Sequence, residues 1–285
     1  MPSQIIDDIR KQIETQLATS TSVVIDEAII GVSNIGELFG VVFAASSLTL
    51  TDGSITVDGD SFSINGTSIV FGAIPKPIVI TFLDSGGLNL RLAGSIENQI
   101  RLSDIEGQLF KEFTFLPTRL ATLQFDSFTV EIIPSSETVQ FTIKDQSSLD
   151  LGAGFLTLEE PTLMLSGSQV TQGQPVVTLV LQGILVIAGK RFLCRGLFGT
   201  NVTGQAPFTI TPITDTLTLS NLIQNFLNNS IPRLPNLAIS NLQFLTDIDS
   251  NNFNFRATLE DWDIPLGMGV SQSCKNSQNL SCPLR

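Results

Sequence analysis

Ser47-Leu-Thr-Leu-Thr-Asp-Gly-Ser-Ile-Thr-Val-Asp-Gly-Asp-Ser-Phe-Ser-Ile64 decides the fold of this chain. Leu48 and Leu50, Ile55 and Val57, and Phe62 and Ile64 alternate with polar residues. A period of two is the signature of a strand with one buried face. Asp52-Gly53 and Asp58-Gly59 punctuate the run, and Asp-Gly is a strong hairpin signal. Ile78–Phe82 and Leu88–Leu92 extend the pattern across Asp84-Ser-Gly-Gly87. The reading is a succession of short antiparallel strands.

Upstream the period changes. Ile5, Ile6, Ile9, Ile13 and Leu17 recur at helical spacing. They predict one apolar face of an amphipathic helix over residues 3–18, with Ser3 as its N-cap and Asp7 and Asp8 near its positive end. Residues 22–45 carry Gly31 and Gly36 inside an apolar run and read as strand, turn and short helix.

Downstream the plan recurs. Ser3-Gln-Ile-Ile-Asp-Asp-Ile9, Ser103-Asp-Ile-Glu-Gly-Gln-Leu109 and Ser220-Asn-Leu-Ile-Gln-Asn-Phe226 open alike. Leu116-Pro117 matches Leu234-Pro235, and Leu123-Gln-Phe125 matches Leu242-Gln-Phe244. Pro77 and Leu92-Ala-Gly94 echo Pro161 and Leu181-Gln-Gly183. Such self-similarity points to a repeat architecture. We read three units: 1–102, 103–215 and a partial third over 216–285 with a polar tail. The fold class expected is mainly β: repeated antiparallel sheet units joined by short helices, the third repeat incomplete. A shortened unit leaves unpaired N–H and C=O groups at its edge. The tail caps that edge, or a second chain pairs with it.

Leu234-Pro235, Trp262-Asp-Ile-Pro-Leu-Gly267, Pro161–Leu165 and Leu181–Leu185 resemble, in their order, the tandem β-rich repeat modules of large uncharacterised microbial proteins. The resemblance covers most of the chain. It implies fold and repetition and carries no site.

Composition narrows the chemistry. Hydrophobic residues make up 42% of the 285, but charged residues only 15%, against about 25% in ordinary domains. Ser, Thr, Asn and Gln carry the polarity, which suits pleated faces and tight turns. His and Tyr are absent. Ser-His-Asp and Cys-His catalysis and His-ligated metals are thereby excluded. A net charge of −12 argues against nucleic acid, which needs clustered Lys and Arg. No apolar run is long enough to span a bilayer, and no leader is visible at the N-terminus. Three cysteines, Cys194, Cys274 and Cys282, form an odd, sparse set that suits a reducing compartment. The location expected is cytoplasmic.

Few constellations offer a mechanism. Asp52, Asp58 and Asp60 lack the spacing of a calcium loop and read as turn acids. Glu159 and Glu160 are adjacent and face opposite sides of a strand. Asp261 and Asp263 flank Trp262 and could share a face. Burial beside the indole would raise a carboxyl pKa and make a proton donor. The glycine runs fit no phosphate-binding pattern. Phe110, Phe113 and Phe115, with Phe125, Phe128 and Phe141, cluster in the second unit. Phe at alternating strand positions packs core, while with Trp262 the first three are the candidates for lining an apolar cavity.

Three function classes follow. The first is a non-catalytic interaction or assembly module, with a protein partner or a second copy at an open sheet edge. The second is a carrier of an apolar small molecule. The third is a cavity enzyme, a cyclase or isomerase, using Asp261 or Asp263 as its acid. No cofactor or metal is implied by any of the three.

Overall fold

The structure, a computed structural model, describes residues 3–71, 75–101, 124–144, 148–150, 157–171, 176–187, 190–199, 206–212, 218–220, 223–224, 237–247, 252–259, 262–266, 270–274 and 280–284. It is mainly β, with an open antiparallel sheet and few helices. The described residues contain no helix long and apolar enough to cross a membrane.

Helix α1 spans Gln4–Leu17, and Ser3 caps it by accepting the Ile6 N–H at 3.4 Å. Ile6, Ile9 and Ile13 are buried, whereas Ile5 is 53% exposed. Ile5 therefore lies off the packed stripe to which its spacing assigned it. Residues 22–45 form strand β1 (Val23–Ile25), helix α2 (Glu27–Ile30) and helix α3 (Ile35–Phe43). Asp26 caps α2 through its side chain, and Gly31, at φ 72°, ends it with its N–H on the Glu27 carbonyl. Asn34 stands at the N-cap of α3 but makes no capping bond there. Its Nδ2 donates instead to the Pro134 carbonyl at 3.2 Å.

The chain divides into two compact units, 1–146 with 162–179, and 147–161 with 180–285. The first unit holds β2 (Leu48–Asp58), β3 (Ser61–Ser68), β4 (Lys76–Asp84), β5 (Leu88–Arg101), β6 (Gln124–Ile133) and β7 (Thr138–Lys144). The later part of β9 (Thr157–Ser168) follows β7 in its sheet, across the short strand β8 (Ser148–Asp150). Their order is β1-β2-β3-β4-β5-β6-β7-β9, and each of these neighbours is antiparallel to the next.

Register turns the alternating sequence into rows. Ile64, Ile80, Leu92, Val130, Phe141 and Leu165 are successive cross-strand partners. All six are fully buried. One residue along, Ser63, Thr81, Arg91, Glu131, Gln140 and Ser166 form the next row, on the opposite face. Aromatic contacts tie α3 to the apolar face. Phe43 meets Phe71 at 5.5 Å, and Phe71 meets Phe128 at 5.0 Å and Phe141 at 5.4 Å, both edge-on. Phe128 and Phe141 are thus core residues, as their alternation implies.

Asp58-Gly59 makes the expected turn between β2 and β3, with Gly59 at φ 58°. Asp52-Gly53 does not turn the chain. It forms a bulge within β2, where the register to β3 shifts between Thr51 and Ser54. Asp52 takes φ 54°, and the Gly53 N–H donates to the Thr21 carbonyl at 3.0 Å. A side chain at Gly53 would press on Leu17. The tertiary contact with the end of α1 converts a hairpin signal into a bulge.

The second unit contains β8 and the start of β9, which pair through Leu149 and Leu158. It continues through β10 (Val176–Ile187), β11 (Lys190–Gly199), β12 (Ala206–Pro212), β13 (Ile239–Asp247) and β14 (Asn252–Leu259). Strand β10, like β9, is divided between the units. Leu181, Leu185, Phe192, Cys194 and Ile210 are buried there. Strands β15 (Trp262–Leu266) and β16 (Val270–Cys274) form a separate two-stranded sheet. The C-terminal tail supplies β17 (Leu280–Leu284), antiparallel to β14. The tail therefore covers the edge of β14, one of the two outcomes expected for that edge. Of the three helical starts, only that at Ser3 is described in full. Residues 219–220 and 223–224 are helical, and Ser103 lies outside the described residues.

Two local contacts give tests. A Cβ at Gly94 would lie 2.6 Å from the Phe128 ring and 3.2 Å from the Pro77 carbonyl oxygen. Gly94→Ala is expected to lower stability by about 1–3 kcal/mol through overpacking, read as a lower urea midpoint. At the β4–β5 turn, Asp84 accepts from the Ser3 hydroxyl and from the N–H groups of Gly87 and Gly86, at 3.0 and 3.2 Å. The Ser3 bond first, then the backbone bonds, hold its carboxyl below the ordinary 3.8. A depressed pKa contributes stability above the unfolded value and loses it as pH falls through the folded one. Asp84→Asn should flatten the fall in urea midpoint below pH 3.8. A curve parallel to that of the wild type would refute the assignment.

Candidate functional site

The feature with most potential for recognition in the first unit is the polar face of the sheet. Ser, Thr, Asn and Gln alternate with the core residues, and cross-strand register aligns them. Ser63 and Thr81 hydroxyls lie 2.9 Å apart, and Asn65 Nδ2 donates to Thr56 Oγ1 at 3.3 Å. Asn89 Nδ2 donates to Glu131 at 2.6 Å, although Asn89 is buried. These bonds between neighbouring side chains hold the polar rows in place on the pleat.

A trough of about 540 Å³ crosses this face. Its floor is the small segment Ala93-Gly94-Ser95 of β5. Asn65, Pro77 and Val79 form one wall, and Thr129, Thr142 and Lys144 stand on the other. The floor is low because Ala93 and Ser95, the residues of this segment that alternate onto the polar face with Arg91, are small. Phe128 packs directly against Gly94 from the core side. Lys144 is the one charged residue among those lining the trough. Hydroxyl, amide and ammonium groups can hydrogen-bond an extended or flat partner. Ser127 and Lys144, which both line the trough, are direct cross-strand partners.

The acids singled out in the sequence fall into a turn, a bulge and strand β9. Asp58 and Asp60 flank Gly59, and Asp52 sits in the bulge. Glu159 bonds Arg191 at 3.2 Å across half-exposed side chains, while Glu160 takes φ 50° just before Pro161. Among the described residues no group of three or more Cys, Asp and Glu could hold a metal ion.

Asp261, Phe110, Phe113 and Phe115 lie outside the described residues. Trp262 and Asp263 begin β15 and pair through the backbone with Cys274 and Ser273 of β16. Their side-chain surroundings lie outside what is described. The residues that sequence reasoning missed are Asn65, Thr129, Thr142 and Lys144. Their signal was present as polar positions in alternating strands. Only the register reveals that they converge.

The chain matches no protein-family model, no curated protein and no solved structure. Its function has to be read from its own geometry.

Cys194 gives a direct check on the core of the second unit. It is fully buried in β11, and burial pushes its thiol up to about 12. A buried thiol is a poor thiolate and reacts slowly. Peptide mapping after maleimide treatment should find Cys194 unmodified in native protein at neutral pH and modified in urea. Native labelling at the unfolded rate would contradict the packing.

Proposed function

We propose that this chain is a non-catalytic interaction and assembly module, and that a second copy pairs with its sheet at the free edge of β2. The supporting observation is an edge with backbone groups to offer. Strand β1 pairs with β2 only over Leu48–Leu50, and β3 occupies the other side of β2. Among the described residues, Ser54–Asp58 thus has one strand neighbour. Such a segment is a template for another strand.

The edges at β2 and β17 differ. At β17, Pro283 pairs with Asn254. Proline lacks an N–H and belongs on edge strands with that position turned outward, which blunts β17. Ser54-Ile-Thr-Val-Asp58 contains no proline. Its symmetry suits self-pairing: antiparallel about Thr56, Ile55 meets Val57 and Ser54 meets Asp58. Apolar side chains then face each other, and the carboxylate faces a hydroxyl rather than another carboxylate. Val57 is 53% exposed, so its burial favours the pair. Five residues make a small contact, and the association is correspondingly weak.

Tandem ancestry is part of the same reading, with segments 1–102, 103–215 and 216–285 as copies of one sheet-forming block. Two equivalent glycines support it. Gly94 lies against the Pro77 carbonyl and Phe128, and Gly183 against Leu158 and the Glu159 carbonyl, two residues from Pro161. In each case a Leu-x-Gly strand admits a close backbone approach beside a Pro-containing neighbour. A block that builds its sheet edge-on is suited to assembly by the same contact. A cytoplasmic location accords with the sparse cysteines.

Sedimentation over a wide concentration range is the test. A monomer–dimer equilibrium is expected, and Val57→Lys should move it to monomer by placing a charge on the pairing edge, with the thermal midpoint changed little. A chain monomeric at every concentration, or a Val57→Lys protein that still dimerises equally well, would remove the proposal.

A further inference from the structure

A second concavity lies within the first unit, distinct from the polar sheet face. It is a cleft of about 650 Å³ between α1, the α2–α3 connection and the Pro134–Ser136 turn. That volume is in the range of small-molecule sites, about 300–1,000 Å³. Three observations meet there.

The first is an apolar wall that no element covers among the described residues. Ile5, Asp8, Ile9 and Gln12 line the cleft from α1, at the spacing of one helical stripe. Ile5 is the residue left 53% exposed. Ile30, Leu88 and Pro134 continue the wall.

The second is a pair of buried acceptors. Asn34 Oδ1 and Glu137 Oε2 are both shielded from solvent, and neither has a hydrogen-bond partner among the described residues. Both residues line the cleft. They are neighbours through one carbonyl, since Pro134 accepts from Asn34 Nδ2 at 3.2 Å and from the Glu137 N–H at 3.2 Å. The bond from Nδ2 fixes the orientation of the Asn34 amide, so its oxygen is the atom left over. Native proteins pair nearly all such atoms, and an unpaired buried acceptor marks a place for a donor.

The third is the sign of the charge. The charged groups lining the cleft are Asp8 on α1 and Glu137 on the turn, and the α2–α3 connection contributes none. Asp8 already accepts one bond from Gln4, at 2.7 Å. Arg10 is directed to Asp7 and Glu14 instead.

We propose that this cleft binds a primary ammonium group carried on an apolar body. The ammonium supplies three N–H donors and no acceptor, which suits the Asp8 and Glu137 carboxylates at the cleft, and a turn of the Glu137 side chain would bring its unfilled oxygen to the ligand. Its hydrocarbon rests on Ile5, Ile9 and Leu88. A bare divalent cation fits less well, because calcium takes six to eight oxygens and most of this wall is carbon. A carboxylate ligand would face two like charges.

The test titrates n-hexylamine, n-hexanol and hexanoate into the full chain by calorimetry, with thermal midpoints in parallel. Saturable one-to-one binding of hexylammonium is expected, with hexanol and hexanoate at least about tenfold weaker, as loss of a charged hydrogen bond implies. Glu137→Gln should weaken the amine by about tenfold or more and leave hexanol unchanged. Asp8→Asn, an exposed position on α1 that leaves the fold undisturbed, should weaken it several-fold and serves if Glu137→Gln does not fold. Equal binding of the three probes, no saturable amine binding, or amine affinity indifferent to the substitutions would overturn the proposal. These readouts do not depend on whether β2 dimerises, since Val57 lies outside the cleft.

Discussion

The first unit depends on one requirement: the apolar face of its sheet has to be covered. Each strand alternates, so every core row implies a polar row on the opposite side. The row from Ile64 to Leu165 is fully buried, and burial of each such side chain contributes about 1.5–3 kcal/mol. Cover comes in part from the helices at the start of the chain. Phe71 is the link, touching Phe43 of α3 as well as Phe128 and Phe141 of the sheet. Loss of this contact would expose the centre of the sheet and the inner side of α3 together. The glycine at 94 belongs to the same constraint, because the Phe128 ring occupies the place of a side chain there.

Covering one face dictates the properties of the other. With only 15% charged residues, this chain writes its solvent face in hydroxyls and amides. Neighbouring strands satisfy one another, as Ser63 does with Thr81 and Asn65 with Thr56. The result is a patterned hydrogen-bonding surface.

Much of this was legible because period-two alternation survives any tertiary context. The strands from Leu48 to Leu92 were visible in outline, as were the core roles of Phe128 and Phe141 and the cap at Ser3. What stayed hidden depends on contacts between distant residues. Asp52-Gly53 has the composition of a hairpin turn, yet the Thr21 carbonyl captures its N–H and the strand continues. Ile5 fits the helical stripe, yet it stays exposed beside the buried Ile6 and Ile9. Asn34 has the chemistry of an N-cap, but a carbonyl 100 residues away claims its amide. Local propensity was outcompeted in each case, and two of these three departures border the cleft. Departures of this kind concentrate where a structure does something besides fold.

Edges complete the physical account. A sheet built strand after strand has a simple topology, because most pairings join segments close in sequence. The difficulty is left at its edges, where backbone groups lack a neighbour. The two edge strands are treated differently. The C-terminal tail returns as β17 and presents a strand that contains Pro283. In the first unit, β1 covers three residues of β2 and stops. The bulge at Asp52-Gly53 separates the covered part from the free part and re-aims the strand. A protein that needed to be inert at both edges had the means to blunt β2 as it blunts β17. Ser54–Asp58 is free of proline, with Val57 exposed within it, and the proposed association rests on that asymmetry.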